Sequence, residues 1–197
     1  MSTRLPAAAR RAQLLDVALS IFGTSGFHDA SMQDVATAAG VTKPVLYQHF
    51  SSKEELFAAV ASTAADRLRE RSEKALSSAA SAREQVESGI GAVVDLCTEE
   101  PSVFRVLFGE SARSEPRIRE IVTSAQRELA QTIASHMTGV ADDDPALALL
   151  LSHSLIGLSE SAIRYWLEEQ PDVSVDLLRS QVIELAWAGL RGSRPAT

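Results

Sequence analysis

The sequence predicts an all-helical protein, and three observations carry that prediction. Apolar residues recur at intervals of three and four rather than alternating, and alanine, leucine, glutamate and arginine dominate. Capping residues, glycines and prolines then break the pattern into segments of helical length. At 197 residues and 45% apolar content the chain is long enough to bury a sizeable core.

Pro6 precedes a first amphipathic helix whose Leu14, Leu15, Ala18, Leu19 and Phe22 form one stripe, ending near Ser25 and Gly26. Ser31 with Asp34 three residues on marks the cap of a short second helix to Ala39, and Gly40 breaks it. Thr42 is placed to cap a third. Pro44 falls in its first turn, where the missing N–H costs little, and the helix closes around Phe50 and Ser51. Ser52 with Glu55 is a second box, opening a long helix to about residue 77 with Leu56, Phe57, Val60, Ala64 and Leu68 on one side. Ser77–Ser81 reads as a loop. Val86, Ile90, Val93, Val94 and Cys97 then mark a helix stopped by Pro101, and a further helix spans roughly 102–113. The next starts at Pro116, carries Ile118, Ile121, Val122, Ala125, Leu129, Ile133 and Met137 in register, and ends near Gly139. Asp142, Asp143 and Asp144 before Pro145 favour the positive end of another helix, running to about Glu169. The last spans roughly 174–191, ended by Gly192 and Pro195. The expected organisation is a three-helix head at 1–51 and a larger helical body at 52–197.

The net charge is −7, but it is unevenly spread. Residues 1–50 carry four basic residues (Arg4, Arg10, Arg11, Lys43) against three acidic ones (Asp16, Asp29, Asp34), whereas the remainder holds 15 basic and 23 acidic. A slightly basic head on an acidic body lets the head approach phosphate while the body is repelled. The single cysteine, Cys97, excludes an intrachain disulfide and a CxxC zinc site, and fits a reducing cytoplasm. No signal-peptide stretch and no uncharged run of membrane-spanning length is seen, so the chain is read as soluble, cytoplasmic and without a membrane partner.

The chemistry concentrates in residues 31–50, SMQDVATAAGVTKPVLYQHF. Small Ala36 stands where two helices would cross, Gly40 in the turn, and Val35, Ala39, Val41 and Leu46 at the internal positions of a helix-turn-helix. A short second helix on such a turn can lie in the major groove with its first residues near base edges. Lys43 then reaches a guanine or a phosphate, Val45 a thymine methyl, and Tyr47 and His49 the sugar-phosphate backbone. Ser31 and Thr42, at helix N-termini, offer donors to phosphate.

The run VTKPVLYQHFSSKEEL, preceded by FGTSGF and SMQDVATAAG, resembles the DNA-binding region of the TetR family of bacterial transcriptional regulators over about residues 10–57. Gly40, Tyr47, Phe50 and Lys53 fall where that family has them; Pro44 is a departure, since many relatives carry a small or flexible residue there. The resemblance implies a homodimer placing two recognition helices in successive major grooves of a palindromic operator. The last two helices of each subunit would form a four-helix bundle, and a small molecule bound in the C-terminal domain would re-space the heads and release DNA. It maps phosphate contacts to Tyr47, His49 and Lys53, and base or near-base contacts to Thr42, Lys43, Pro44 and Val45.

For a ligand cavity the candidates are Phe104, Leu107, Phe108, His153, Tyr165 and Trp166, mixed with Glu110 and Glu160, with ordinary core packing as the competing reading. Trp187 with Leu178, Val182, Leu185 and Leu190 suits a large apolar dimer contact. No histidine pair has metal-ligand spacing, the triple aspartate reads as a helix cap, and there is no glycine-rich phosphate loop or G-x-S-x-G elbow. The expectation is a ligand-responsive repressor that is not an enzyme and needs no cofactor or metal. The alternative is a helical ligand-binding or scaffold protein with no specific DNA readout.

Overall fold

The computed structural model describes residues 6–109, 116–137, 144–170 and 172–192. Arg4, Glu110, Gly139, Asp142, Asp143 and Pro195, to which the sequence assigns roles, lie outside the described residues. Nine helices and no strand occur among the described residues. They are α1 (Ala7–Asp29), α2 (Met32–Ala38), α3 (Lys43–Tyr47), α4 (Lys53–Ser77) and α5 (Ala82–Glu99), followed by α6 (Pro101–Phe108), α7 (Pro116–His136), α8 (Pro145–Glu169) and α9 (Val175–Gly192). The described residues form two compact units, those within 1–65 and 102–123 and those within 66–101 and 124–197. The first half of α4 and the whole of α6 except its opening proline thus lie in the first unit.

The head is held by its aromatic residues. Gly26 leaves helical geometry at φ 74° and ψ 174°, a region that a side chain rarely tolerates, so α1 proper stops where the sequence places its end. The bend returns Phe27 onto Phe57 of α4, their centroids 5.2 Å apart at 82°, while Phe22 meets Phe57 at 4.9 Å and 66°. Leu14, Leu19, Leu56, Val60 and Ala61 complete the buried layer.

In the second unit the buried stripes of α4 (Leu68, Leu76), α5 (Val86, Ile90, Val94), α7 (Leu129, Ala130) and α9 (Leu178, Val182, Ala186, Leu190) make the core. Ion pairs bind the helix surfaces: Arg67 to Glu100 at 2.9 Å, Arg71 to Glu99 at 2.8 Å, and Arg179 to Asp95. These groups are about a third or more exposed, so each pair contributes about 0–1 kcal/mol. Cys97 is buried in α5, and burial pushes its thiol up to about 12 from an ordinary 9.0. A native protein at pH 8 is therefore expected to leave iodoacetamide unreacted over hours, and to be alkylated at once in denaturant. Rapid labelling of the folded chain, read by intact mass, would contradict this burial. Because the unfolded chain ionises this thiol first, its contribution to stability is intact below about pH 9 and declines as pH rises toward 12.

Where the sequence offers a capping side chain, the helix starts follow it with two exceptions. Asp144 accepts from Ala146 N–H at 2.9 Å and Leu147 N–H at 3.3 Å, with Pro145 in the first turn. Ser52 accepts from Glu55 N–H at 3.1 Å, but Glu55 returns its carboxylate to the N–H of Ser51 at 2.8 Å rather than to Ser52. Thr42 stands at the N-cap of α3 and its side chain makes no capping bond.

Candidate nucleic-acid interface

The helix-turn-helix is built around side chains that touch no water. Val35, Ala36 and Leu46 are completely buried and Ala39 nearly so, so α2 and α3 can cross closely at a methyl group. Gly40 takes the left-handed φ of 65° that reverses the chain after α2, and Val41 N–H closes the turn on the Ala36 carbonyl at 2.9 Å. Gln13 of α1 donates to the Ala39 carbonyl at 3.4 Å, tying the first helix to the end of the second.

With Leu46 turned inward, the rest of α3 faces out. Thr42, Lys43 and Pro44 are exposed, Tyr47 is 44% exposed, and Val45 and His49 are half-buried. The uncommitted Thr42 hydroxyl stands free for a phosphate or base. Lys43 and Tyr47 are one turn apart, with the ammonium 5.9 Å from the ring centroid, so a cation and a phenol project together as a phosphate clamp would. Phe50 is core, 1% exposed.

Two residues assigned to phosphate are committed elsewhere. Ser31 accepts from Asp34 N–H at 3.2 Å, and both its hydroxyl and its own N–H donate to the Asp34 carboxylate, at 2.6 and 2.9 Å. To donate to phosphate it would have to surrender that box and approach a carboxylate. Those two bonds also hold the Asp34 carboxyl below its ordinary range, so it supports the folded head above that range and loses the contribution as pH falls through the lowered value. Lys53 directs its ammonium to the carbonyls of His28 (3.1 Å) and Ala30 (2.9 Å) and packs 4.6 Å from the Phe27 ring centroid. It pins the bend after Gly26 and keeps at most one donor for DNA.

The structure also brings in residues that the sequence reading passed over. Arg11 lies 4.9 Å from the Phe50 ring centroid, and Arg10, bonded to Gln13 at 2.6 Å, lines a concavity of about 460 Å³ shared with Thr42, Val45, Gln48 and His49. Their signal was the Arg10-Arg11 pair at the start of a helix, visible as charge but not as placement.

The cavity candidates separate. Phe104, Leu107 and Phe108 are buried in the first unit, the two rings 5.2 Å apart, whereas His153, Tyr165 and Trp166 belong to the second. His153 is exposed, and Tyr165 is 58% exposed. Trp166 donates its indole N–H to the Val173 carbonyl at 2.6 Å. Tyr165 and Trp166 meet Leu178, Val182 and Leu185 of α9 around an entirely apolar groove of about 370 Å³. Of the five dimer candidates, Leu178, Val182 and Leu190 are turned into the protomer's own core, and Trp187 is half-buried between the guanidiniums of Arg83 and Arg191 at 5.7 and 5.8 Å. Only Leu185, 63% exposed, presents itself fully outward. Among the described residues no group of acidic, histidine or cysteine side chains could hold a metal.

Residues 14–60 match the model described as bacterial regulatory proteins, tetR family, and residues 82–189 match that of the tetracyclin repressor-like C-terminal domain. The chain belongs to the TetR family. The HTH-type transcriptional activator FasR of Mycolicibacterium smegmatis is 31% identical over 187 residues, 95% of this chain and 85% of that protein. A TetR-like transcriptional regulator from Rhodococcus sp. RHA1 superposes with a TM-score of 0.77 at 28% identity, covering 96% of this chain and all of that one. The fold is shared as well with Bacillus subtilis FadR, solved in complex with stearoyl-CoA, at a TM-score of 0.79 and 19% identity over 90% of this chain and 98% of that one. This TetR-family member is thus a DNA-binding transcriptional regulator whose C-terminal domain is of the family's ligand-binding type, and its relatives are regulators rather than enzymes.

Proposed function

We propose that the protein is a homodimeric repressor that binds a palindromic operator and is released by a small molecule. The observation that carries the reading is α3, rigidly seated through Leu46 and presenting Thr42, Lys43, Pro44, Val45, Tyr47 and His49 outward. Residues 1–51 act as the DNA-binding part and residues 52–197 receive the effector and the second subunit. The dimer is supported by α8 and α9, where Tyr165, Leu177 and Leu185, 50–63% exposed, border an apolar groove and Leu150 of α8 is 63% exposed. A face of that kind on a lone protomer favours association. It also accounts for α8 being long and apolar enough to cross a membrane while only 22% of its most apolar window is buried. Operating on DNA, the protein acts in the cytoplasm. Long-chain acyl-CoA is the first effector to screen, given the molecule bound to FadR.

The test is fluorescence anisotropy on the upstream intergenic DNA and a scrambled duplex at two salt concentrations. Selective, salt-sensitive binding is expected, and equal weak binding to both duplexes would overturn the reading. Lys43→Ala then sorts its two roles. A phosphate contact predicts equal loss on every duplex and a salt slope shallower by about 0.9 per lost contact, whereas a base contact predicts relaxed discrimination at one position. Unchanged binding would remove Lys43 from the interface.

The activator named among the relatives favours a second reading of the same binding event. A dimer that occludes a promoter lowers transcription, and one bound upstream can raise it by touching the polymerase. Run-off transcription with and without the protein decides: fewer transcripts for repression, more for activation.

A further inference from the structure

The crest of α3 is occupied by a residue to which no role has been given. An α-helix turns about 100° per residue, so the side chains most nearly opposite Leu46, the completely buried one, are those two residues away on either side, Pro44 and Gln48. Gln48 remains helical at φ −68° and ψ −23° although it closes the helix, so this geometry holds at its position. Pro44 has no donor and Val45 is apolar. Tyr47 stands to one side under the Lys43 ammonium. Gln48 is exposed, and its carboxamide makes no hydrogen bond among the described residues. It lines the open concavity to which Arg10 of α1 also contributes.

We propose that Gln48 reads an adenine in each half-site, its carboxamide oxygen accepting from N6–H and its NH₂ donating to N7. Glutamine matches that edge of an A·T pair in the major groove and no other base so well. The inference rests on the DNA-binding reading above. It adds a carboxamide, with a donor and an acceptor fixed side by side, on the side of the helix opposite the buried Leu46.

The experiment is selection from a randomised 30-base-pair duplex library by the full-length protein and by Gln48→Ala and Gln48→Lys. Because the side chain is exposed and unbonded, both variants should melt with the parent, which a thermal scan checks. The parent is expected to enrich a palindrome containing an A·T pair that the alanine variant no longer prefers, a roughly ten- to hundredfold loss of discrimination at that column alone. The lysine variant should shift the same column toward G·C. Recovery of the parental motif by both variants, or weakening spread evenly over all columns, would overturn the proposal while leaving the regulator reading intact. If the parent itself enriches no motif, the DNA-binding reading fails and takes this assignment with it.

Discussion

Truncating Phe57 to alanine is expected to lower the melting midpoint by about 6–20 °C, the consequence of about 3–5 kcal/mol lost from the head. The side chain is 1% exposed and is the ring that both Phe22 and Phe27 meet edge-on, at 4.9 and 5.2 Å. Phe22 and Phe27 are themselves 6.3 Å apart, so removing the third ring leaves a cavity that the other two cannot close without shifting α1. Phe27 is brought there only by the bend at Gly26, and Lys53 caps that bend from one residue turn before Phe57. The substitution therefore loosens the strut beneath the recognition unit as well as the core. Phe57→Leu, which keeps most of the volume, should cost about 1 kcal/mol. Circular dichroism melts of both variants at one protein concentration check this, the fixed concentration being needed because association adds to apparent stability. A Phe57→Ala midpoint within 2 °C of the parent would show that the aromatic cluster does not hold the head.

The contrast between local and distant chemistry explains how much of this was legible in the sequence. The helix-turn-helix could be read because its determinants lie within 20 residues: a capping pair at Ser31 and Asp34, a left-handed glycine at position 40, and Val35 and Leu46 at the inward positions of the two helices. Helix α8 was similarly bounded by an Asp-Pro start and by its own apolar length. Lys53 illustrates the other case. Its position fits a phosphate contact, yet it reaches back 23 residues to the Ala30 carbonyl, and no local pattern encodes that bond. Gln48 stands in the same run, but only the burial of Leu46 shows that it lies on the opposite, outward side of the helix. The face of α9 could not be read at all. Leu177 and Leu185 form one apolar row and Leu178, Val182, Ala186 and Leu190 another, and only packing decides that the second turns inward.

That choice of face makes Leu185→Glu the most informative substitution in the second unit. In the protomer the side chain is 63% exposed, so a carboxylate there meets water and the fold should be unaffected. Within the protomer it borders the apolar groove together with Leu158, Ala162, Tyr165 and Trp166, and in the proposed dimer that groove is covered by the second copy. A two-fold interface uses one patch twice, so a single substitution introduces two charges, each stripped of water without a partner and costing several kcal/mol. The expected result is a folded monomer. Its consequence for DNA follows from linkage of the heads: a dimer engages its second half-site at the effective concentration set by the first, and a monomer forfeits that gain, about 10²–10⁴ in affinity. Light scattering after size exclusion reads the oligomeric state, and anisotropy on the operator reads the affinity. Leu178→Ala is the control, since that residue is 9% exposed and its loss should destabilise the protomer without the charge that splits the pair. A Leu185→Glu protein that remains a dimer and binds with parental affinity would move the interface off this face. A monomer that binds undiminished would instead detach operator recognition from dimerisation.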